Sequence, residues 1–594
     1  MTDLERDLPY HQHFDQACGQ GWEHAHDRPS DWVERIRQSI IGDKHPISTP
    51  FGQKPLVYAD YTASGRSLTF IEDAIRQRVL PYYANTHTES TYTGARSTRL
   101  REEARNAIRR SLYADANDAV IFTGAGATSA INKFIDIIGL RNTSTGQNEA
   151  VEGVERPVVF VSAYEHHSNE LPWRESTAEV VTVPLSSEGT LDCSALNALL
   201  VAYQTRPLLI GSFSAASNVT GLCTDVTRVS RLLKDFGALA CWDFAAAGPY
   251  TEIRMNGDVA LDAVFLSPHK FIGGPGTPGV LVIKRSLVSK NVPAVSGGGT
   301  VAWVSPDSHY YVADVERREE GGTPAIVESI RAGLVFALKD RVTSSRIAAL
   351  EHRFIQRAFA RLDGCSNVEV LGSRDAPRLA ILSLRFKHCG LDLHYGFVVA
   401  LLNDLFGIQA RGGCSCAGPY GHYLLGISAE QSNALAQAVT HGAAVLRPGW
   451  VRLGFNYFIA DAEFDYILSA IELVARHGWR LLPFYRYDSR SATWQANRAQ
   501  SVGCAPITSA QTGPSMIDSL LDDKNDPMDA YRDVANHAVR PAWCFAKLLS
   551  QAEDVMLNQT GLATVAAETA CFQNHAQWEL LRWFATPVAN AATG

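Results

Sequence analysis

The chain predicts an α/β fold built on a largely parallel sheet covered on both faces, and three observations carry that prediction. Six short segments are apolar without alternation: "AVIFTG" (119–124), "PVVFVS" (157–162), "PLLIGSFS" (207–214), "ALACWDF" (238–244), "AVFLS" (263–267) and "GVLVIK" (279–284). Amphipathic helical patterns lie between them. A glycine-rich turn, "TGAGATSAIN" (123–132), follows the first segment and opens a helix. Strands that are apolar throughout are buried on both faces, and strands alternating with helices are joined by crossovers.

Residues 1–54 are polar and rich in histidine and proline, and read as an N-terminal arm or short helical preface. The large domain spans 55–325. Its clearest helix runs from Asp225 to Phe236, with Val226, Val229, Leu232, Leu233 and Phe236 on one face. Thr224 is its expected N-cap and Gly237 its terminator. A smaller α+β domain follows over 326–485, with the helix "AIVESIRAGLVFALKD" and the strands "RLAILSLRF" and "GWVRLGF". Residues 486–515, rich in Ser, Thr, Ala, Gln and Gly, have linker composition. Residues 516–594 read as a helical extension, with patterning around "PAWCFAKLLSQAEDVML" and "QWELLRWF" that points to packing rather than a ligand site.

At 594 residues the chain exceeds one hydrophobic core. Its 46% hydrophobic and 20% charged content is ordinary for a globular protein. A net charge of -8, without runs of Lys or Arg, argues against nucleic-acid or anionic-membrane coating. No apolar run is long enough to span a bilayer, and "MTDLERDLPYHQHFDQ" lacks a signal-peptide core. Eleven scattered cysteines suit reduced thiols better than a disulfide framework. A cytoplasmic protein is the expectation.

The chemistry is read first from "DAVFLSPHKFIGGPGTPGVLVIK", where a buried strand ends in Ser267, Pro268, His269 and Lys270. Sheets of this kind bind ligands beyond the carboxyl ends of their strands. An isolated lysine there is more often a surface charge. One strand earlier, however, Asp243 sits inside an apolar segment, where a carboxylate is costly unless it meets a cation. Pyridoxal phosphate supplies one, since its pyridinium nitrogen pairs with an Asp while a Lys forms the Schiff base. The turn at 123–132 offers a phosphate site at a helix N-terminus.

"SPHK", "EHHSNELPW" (165–173), "SAASNVTG" (214–221) and "RGGCSCAGP" (411–419) resemble the class V aminotransferase-fold enzymes, most closely the cysteine desulfurases and selenocysteine lyases. The resemblance spans about 55–480. It implies fold type I, with a mostly parallel seven-stranded sheet, pyridoxal 5'-phosphate as cofactor and a homodimer. Lys270 then matches the Schiff-base lysine, His269 and Ser267 the phosphate ligands, and Ala127 and Thr128 the phosphate turn. Asp243 matches the pyridinium partner, His166 the histidine stacked on the ring, and Asn218 the residue near the phenolic oxygen. Arg452 matches the clamp for the substrate carboxylate, with Arg411 beside the cysteine loop, and Cys416 the catalytic cysteine. Two departures stand out. Asp243-Phe244-Ala245-Ala246 replaces the usual Asp-Gly-Ala-Gln, and Trp303 stands where a hydroxyl often serves the partner's phosphate.

The cysteine loop itself admits several readings. A metal clip through Cys414, Cys416 and His422 lacks a fourth ligand and the usual spacing. A disulfide between cysteines two apart is awkward. Small apolar packing is the plain alternative, and a nucleophilic thiolate beside Arg411 is the fourth. The resemblance favours the nucleophile. It implies removal of sulfur or selenium from L-cysteine or selenocysteine through a Lys270 aldimine and a Cys416 persulfide, yielding alanine. A sulfur-acceptor protein would take the product; no nucleic-acid, membrane or metal partner is expected. Another reaction on the same scaffold remains open, whether aminotransferase, epimerase or C–S lyase, as does a non-catalytic scaffold.

Overall fold

The computed structural model describes residues 31–142, 155–497, 542–558 and 576–586. The first thirty residues of the expected arm, most of the expected linker and much of the extension lie outside the described residues.

The large domain carries seven strands: β1 (Asp118–Phe122), β2 (Val158–Ser162), β3 (Glu179–Val183), β4 (Leu209–Ser214), β5 (Leu239–Asp243), β6 (Ala263–Leu266) and β7 (Val280–Lys284). They lie in the order β1-β7-β6-β5-β4-β2-β3. All neighbours are parallel except β7, which runs antiparallel to β1 and β6. A parallel return from β6 would need a crossover helix; the glycine-rich link 271–279 contains none, so β7 comes back beside β6. β3 is the strand absent from the six apolar segments. It lies at the sheet edge and is only half-buried along most of its length, so "EVVTV" shows no continuous apolar run.

Successive strand residues divide between two cores, as two-sided burial requires. Val120, Phe160, Phe213, Trp242 and Val264 join one cluster, while Ala119, Val159, Ile210, Cys241 and Phe265 join the other. Helix α1 (Tyr92–Ser111) lies across α4 (Ile326–Val342), and α2 (Gly126–Ile137) follows β1. Helix α3 (Val226–Asp235) is capped by Asp225, whose carboxylate accepts from Arg228 N at 2.9 Å. Thr224, the expected cap, instead donates its hydroxyl to Ser214 O at 2.7 Å, tying the helix entry to β4.

The smaller domain holds a fully antiparallel sheet of β8 (Val368–Val370), β9 (Ile381–His388), β10 (Leu391–Leu393), β11 (Arg411–Gly413) and β12 (Trp450–Gly454). Its order is β8-β9-β12-β11, with β10 also paired to β9. Helices α5 (Ser344–Leu362), α6 (Tyr395–Phe406), α7 (Gly418–Leu425) and α8 (Asp461–His477) belong to the same domain, as does the further helix Ala429–Thr440.

Three segments sharpen or correct their sequence reading. Within residues 1–54, Trp32–Ser39 forms a short helix and buries Val33 and Ile36 in the large-domain core. At the start of the linker stretch, Tyr485–Tyr487 pairs with Trp494–Ala496, because Trp494 finds a buried seat beside Phe397 and His394. In the extension, α9 (Phe545–Leu557) is helical and buries Leu548, Ala552 and Met556 in the small-domain core. "QWELLRWF", in contrast, is helical only through Glu579. Phe584 then bridges Asp392, and Trp583 Nε1 donates to Leu446 O at 3.0 Å. Stacking of Trp583 on His394 and Tyr395 outweighs the local helical preference. Among the described residues, no helix is long and apolar enough to cross a membrane.

Candidate active site

A cavity of about 280 Å3 opens at the carboxyl ends of β5 and β6, where the small domain meets the large one. It gathers the side chains to which the resemblance gives a cofactor, substrate or catalytic role: Ala127, Thr128, His166, Asn218, Asp243, Ser267, His269, Lys270, Arg411, Cys416 and Arg452. A larger, open depression beside it, lined by Asn132, Arg141 and His167, shares Thr128 and Ser168 but lacks the lysine and the aspartate.

The floor comes from strand ends. Asp243 closes β5 and accepts from Ala245 N at 2.8 Å. Lys270 ends the short 3-10 turn Pro268–Lys270 after β6. Burial pushes the Asp243 carboxyl up, against the opposing pull of Ala245 N and Lys270. Burial pulls Lys270 down to about 8, with Asp243 opposing and Arg452 adding to the shift. Loss of solvent thus drives the acid and the amine toward neutrality together.

Beside them, α2 begins at Gly126, whose φ of +56° favours glycine. A Cβ there would come within 2.8 Å of both His269 Cε1 and Ser267 Oγ. Ser267 Oγ accepts from Ala127 N at 2.9 Å, locking the helix start onto the β6 turn. His269 is lowered to about 4 by burial and by Lys270. On the opposite wall, His166 is lowered to about 3 by burial, then by the positive Lys270, His167 and Arg452. Its Nδ1 accepts from Ser168 N at 3.0 Å. The turn carrying it is anchored by buried Glu165, which accepts from Ser214 N at 3.0 Å, Ser214 Oγ at 2.6 Å and Asn169 Nδ2 at 2.7 Å. Burial nevertheless raises Glu165 to about 7.

The small domain supplies two arginines through paired strands: Arg411 on β11 lies opposite Arg452 on β12. Asp60, which the sequence reading passed over, joins them. Its carboxylate accepts from Arg411 Nε at 2.9 Å and from Arg452 Nη2 at 3.1 Å. Arg452 also donates from Nη1 to Asn218 O at 3.1 Å. The signal was present: Asp60 lies in "YADYTASG" as an acid at the end of an apolar pair, the argument that singled out Asp243.

The cysteine loop closes the cavity. Cys416 is exposed into it, whereas Cys414 packs against the large-domain core. Ser415 and Cys416 both adopt φ of +56°, a left-handed pair without glycine. Such residues cost about 1–2 kcal/mol each, so tertiary contacts hold them there. Asn218 Nδ2 donates to Ser415 O at 2.7 Å, so a residue that lines the cavity also ties down the loop. Of the residues marking departures, Ala246 is buried in the cavity wall and Trp303 is 63% exposed on the hairpin Val301–Val304/His309–Tyr311. Among the described residues, no three His, Cys, Asp or Glu side chains converge as metal ligands. His422 Nδ1 sits 2.7 Å from Gly418 O.

Comparison with known proteins agrees with this architecture. A probable cysteine desulfurase of Streptomyces coelicolor is 27% identical over 424 residues, covering 70% of this chain and 92% of its own. Another, from Halalkalibacterium halodurans, is 28% identical over 370 residues, covering 61% and 85%. Among solved structures, the apo cysteine desulfurase of Thermococcus onnurineus superimposes with a TM-score of 0.59 at 24% identity, covering 71% of this chain and 95% of that one. Cysteine desulfurase CsdA of Escherichia coli gives 0.57 at 21% identity, covering 75% and 98%. At such identities the superpositions establish the fold alone, which is fold type I. The aminotransferase class-V profile matches residues 57–455, from the strand that precedes Asp60 to the end of the strand that carries Arg452, and the chain belongs to that family.

Proposed function

We propose that the protein is a pyridoxal phosphate-dependent cysteine desulfurase. The observation that carries the reading is the presence of Cys416 in the same cavity as Lys270, Asp243 and Arg452.

The residues present fit the cofactor that the family implies. Gly126 leaves a cradle that any side chain would fill, beside the Ser267 hydroxyl and the His269 ring at a helix N-terminus, which suits a phosphate. Asp243 is a buried acid to which, among the described residues, no cationic side chain is hydrogen-bonded, which suits a pyridinium nitrogen. Arg452 and Ser415 line the cavity, and their buried Nε and Oγ atoms have no hydrogen-bond partner among the described residues, which suits a polar, anionic guest. Ser267, His269, Ala127 and Thr128 would hold the phosphate, Lys270 the aldehyde carbon, Asp243 the ring nitrogen and His166 the ring face. Once bound, pyridoxal phosphate accepts the electron pair released at the substrate's α-carbon.

The chain's own groups do the rest. Arg452 holds the substrate carboxylate, with Asp60 fixing its guanidinium. Lys270 in its neutral form takes the α-proton and is poised to return it. The Cys416 thiolate attacks the substrate sulfur as the Cβ–S bond breaks. The sulfur remains on Cys416 as a persulfide, and protonation of the carbon fragment gives alanine. The cysteine loop, exposed at Cys416, then presents the persulfide to an acceptor protein. A second copy of the chain belongs to the same reading, because Trp303 and Tyr310 leave a hairpin apolar and more than half exposed. Sedimentation at twice the chain mass checks that part.

The test is a panel of amino acids offered to the holoenzyme. L-cysteine is expected to give alanine and a one-sulfur mass increase on Cys416. Cys416→Ser should lower sulfide release by at least about a hundredfold, in line with loss of a nucleophile. Keto-acid or racemised products without a persulfide would assign the site to transamination or epimerisation instead.

A further inference from the structure

The cysteine loop is held by main-chain atoms, and one histidine makes two of its contacts. His167 N donates to Cys416 O at 2.8 Å. Gly418 N donates to His167 Nε2 at 3.0 Å. A Cβ at Gly418 would lie 3.2 Å from that nitrogen, so glycine permits the approach. The two bonds lie just after the left-handed Cα of Cys416, one on either side of Ala417, and hold a conformation that the loop does not favour unaided. Neither bond is needed for the fold of the large domain, whose turn at 165–169 is anchored by Glu165 and Asn169. His167 does not line the main cavity.

We propose that His167 is a positioning residue, a proton-sensitive latch that holds Cys416 over the active site when neutral and releases the loop when protonated. Nε2 accepts the Gly418 amide, so the neutral ring carries its proton on Nδ1. A proton added at Nε2 would set two N–H groups against each other and break the latch. The charges around the ring are Glu170 and Arg174 in the turn that follows, His166 beside it, and Arg141 and Glu175 across the neighbouring depression; the loop contributes Cys416. Burial, assisted by Arg174 and opposed by Glu170, keeps His167 below the usual histidine range. The latch is therefore closed at neutral pH and opens as pH falls through that lowered value. Its consequence for sulfur transfer rests on the reading of Cys416 as nucleophile; the latch itself does not.

Hydrogen exchange of the holoenzyme over residues 411–421, corrected for intrinsic rate, tests it without chemistry. Wild-type protection is expected to fall about tenfold between about pH 8 and about pH 5. His167→Ala should exchange about tenfold faster at both pH values, with the melting temperature confirming a folded protein. His167→Gln restores an acceptor that does not titrate, so protection should return and lose its pH dependence. Wild-type protection that is flat with pH, or His167→Ala protected as wild type, overturns the latch. Should His167→Ala fail to fold, the wild-type titration and the glutamine variant decide the question. Absence of alanine and persulfide with the exchange pattern intact would sink the desulfurase reading and leave the latch standing.

Discussion

The floor and the lid of the cavity are built on opposite principles. Asp243, Ser267 and Lys270 stand at the ends of central strands, fixed by ladders on both sides and packed between two cores. Cys416 stands on a loop after the edge strand β11, and its neighbours reach it through carbonyls and amides. In the floor, side-chain chemistry decides what happens. In the lid, main-chain contacts decide where one side chain sits. Substitutions in the floor should therefore abolish function, whereas those in the lid, Cys416 itself apart, should alter how the thiol is held.

The sharpest way to break that contrast is Lys270→Ala. Loss of the amine is expected to lower turnover by about a thousandfold or more, because in the proposed mechanism one group serves as cofactor anchor and proton carrier. Turnover within tenfold of wild type would move the chemistry elsewhere. The wild-type lysine has its own pH signature. With a value near 8, the amine is charged below and neutral above, and only the neutral form attacks an aldehyde. Uptake of pyridoxal phosphate by the stripped protein should accelerate as pH rises through about 8; a rate that falls over that range contradicts the assignment.

A middle-sized effect is expected at the joint between the two regions. Asp60 is a buried carboxylate shared by one arginine that is 4% exposed and one at the surface. Asp60→Asn keeps the shape but removes the charge that orders both guanidiniums. KM for the amino acid should rise about tenfold with kcat changed less, the pattern for lost ground-state binding. A fall in kcat alone would make Asp60 part of the chemistry.

The smallest effect belongs to Cys414, which packs on the large-domain core. Cys414→Ala should cost about 1 kcal/mol of stability or less and leave persulfide formation within about twofold, as for a small, half-buried apolar group. Loss of persulfide in this variant, measured by mass spectrometry, would give Cys414 a share in the transfer.

Much of this was legible along the chain, for identifiable reasons. Lys270 and Asp243 could be read because each contradicts its apolar surroundings, and burial makes such contradictions costly. The six apolar strands could be read because two-sided burial leaves an unbroken hydrophobic run. β3 could not, since an edge strand is only partly buried. Asp60 is some 350 residues from Arg411, and no local pattern announces a partner that distant. The same holds for "QWELLRWF", whose helical preference yields to a stack formed with His394 and Tyr395.

Resemblance to a known family proposes Cys416 as the thiol; the sequence by itself determined the class of fold, the buried acid–lysine pair and the glycine-rich turn at 123–132. These depend on side-chain type and on spacing within a few residues. Only the tertiary structure decided how the thiol is held: Asp60 joining two arginines, Asn218 turned toward the loop, and His167 clasping Cys416 through main-chain atoms. Hydrogen bonds to carbonyls and amides leave no mark on residue identity, so the placement of the lid is written in the folded chain alone.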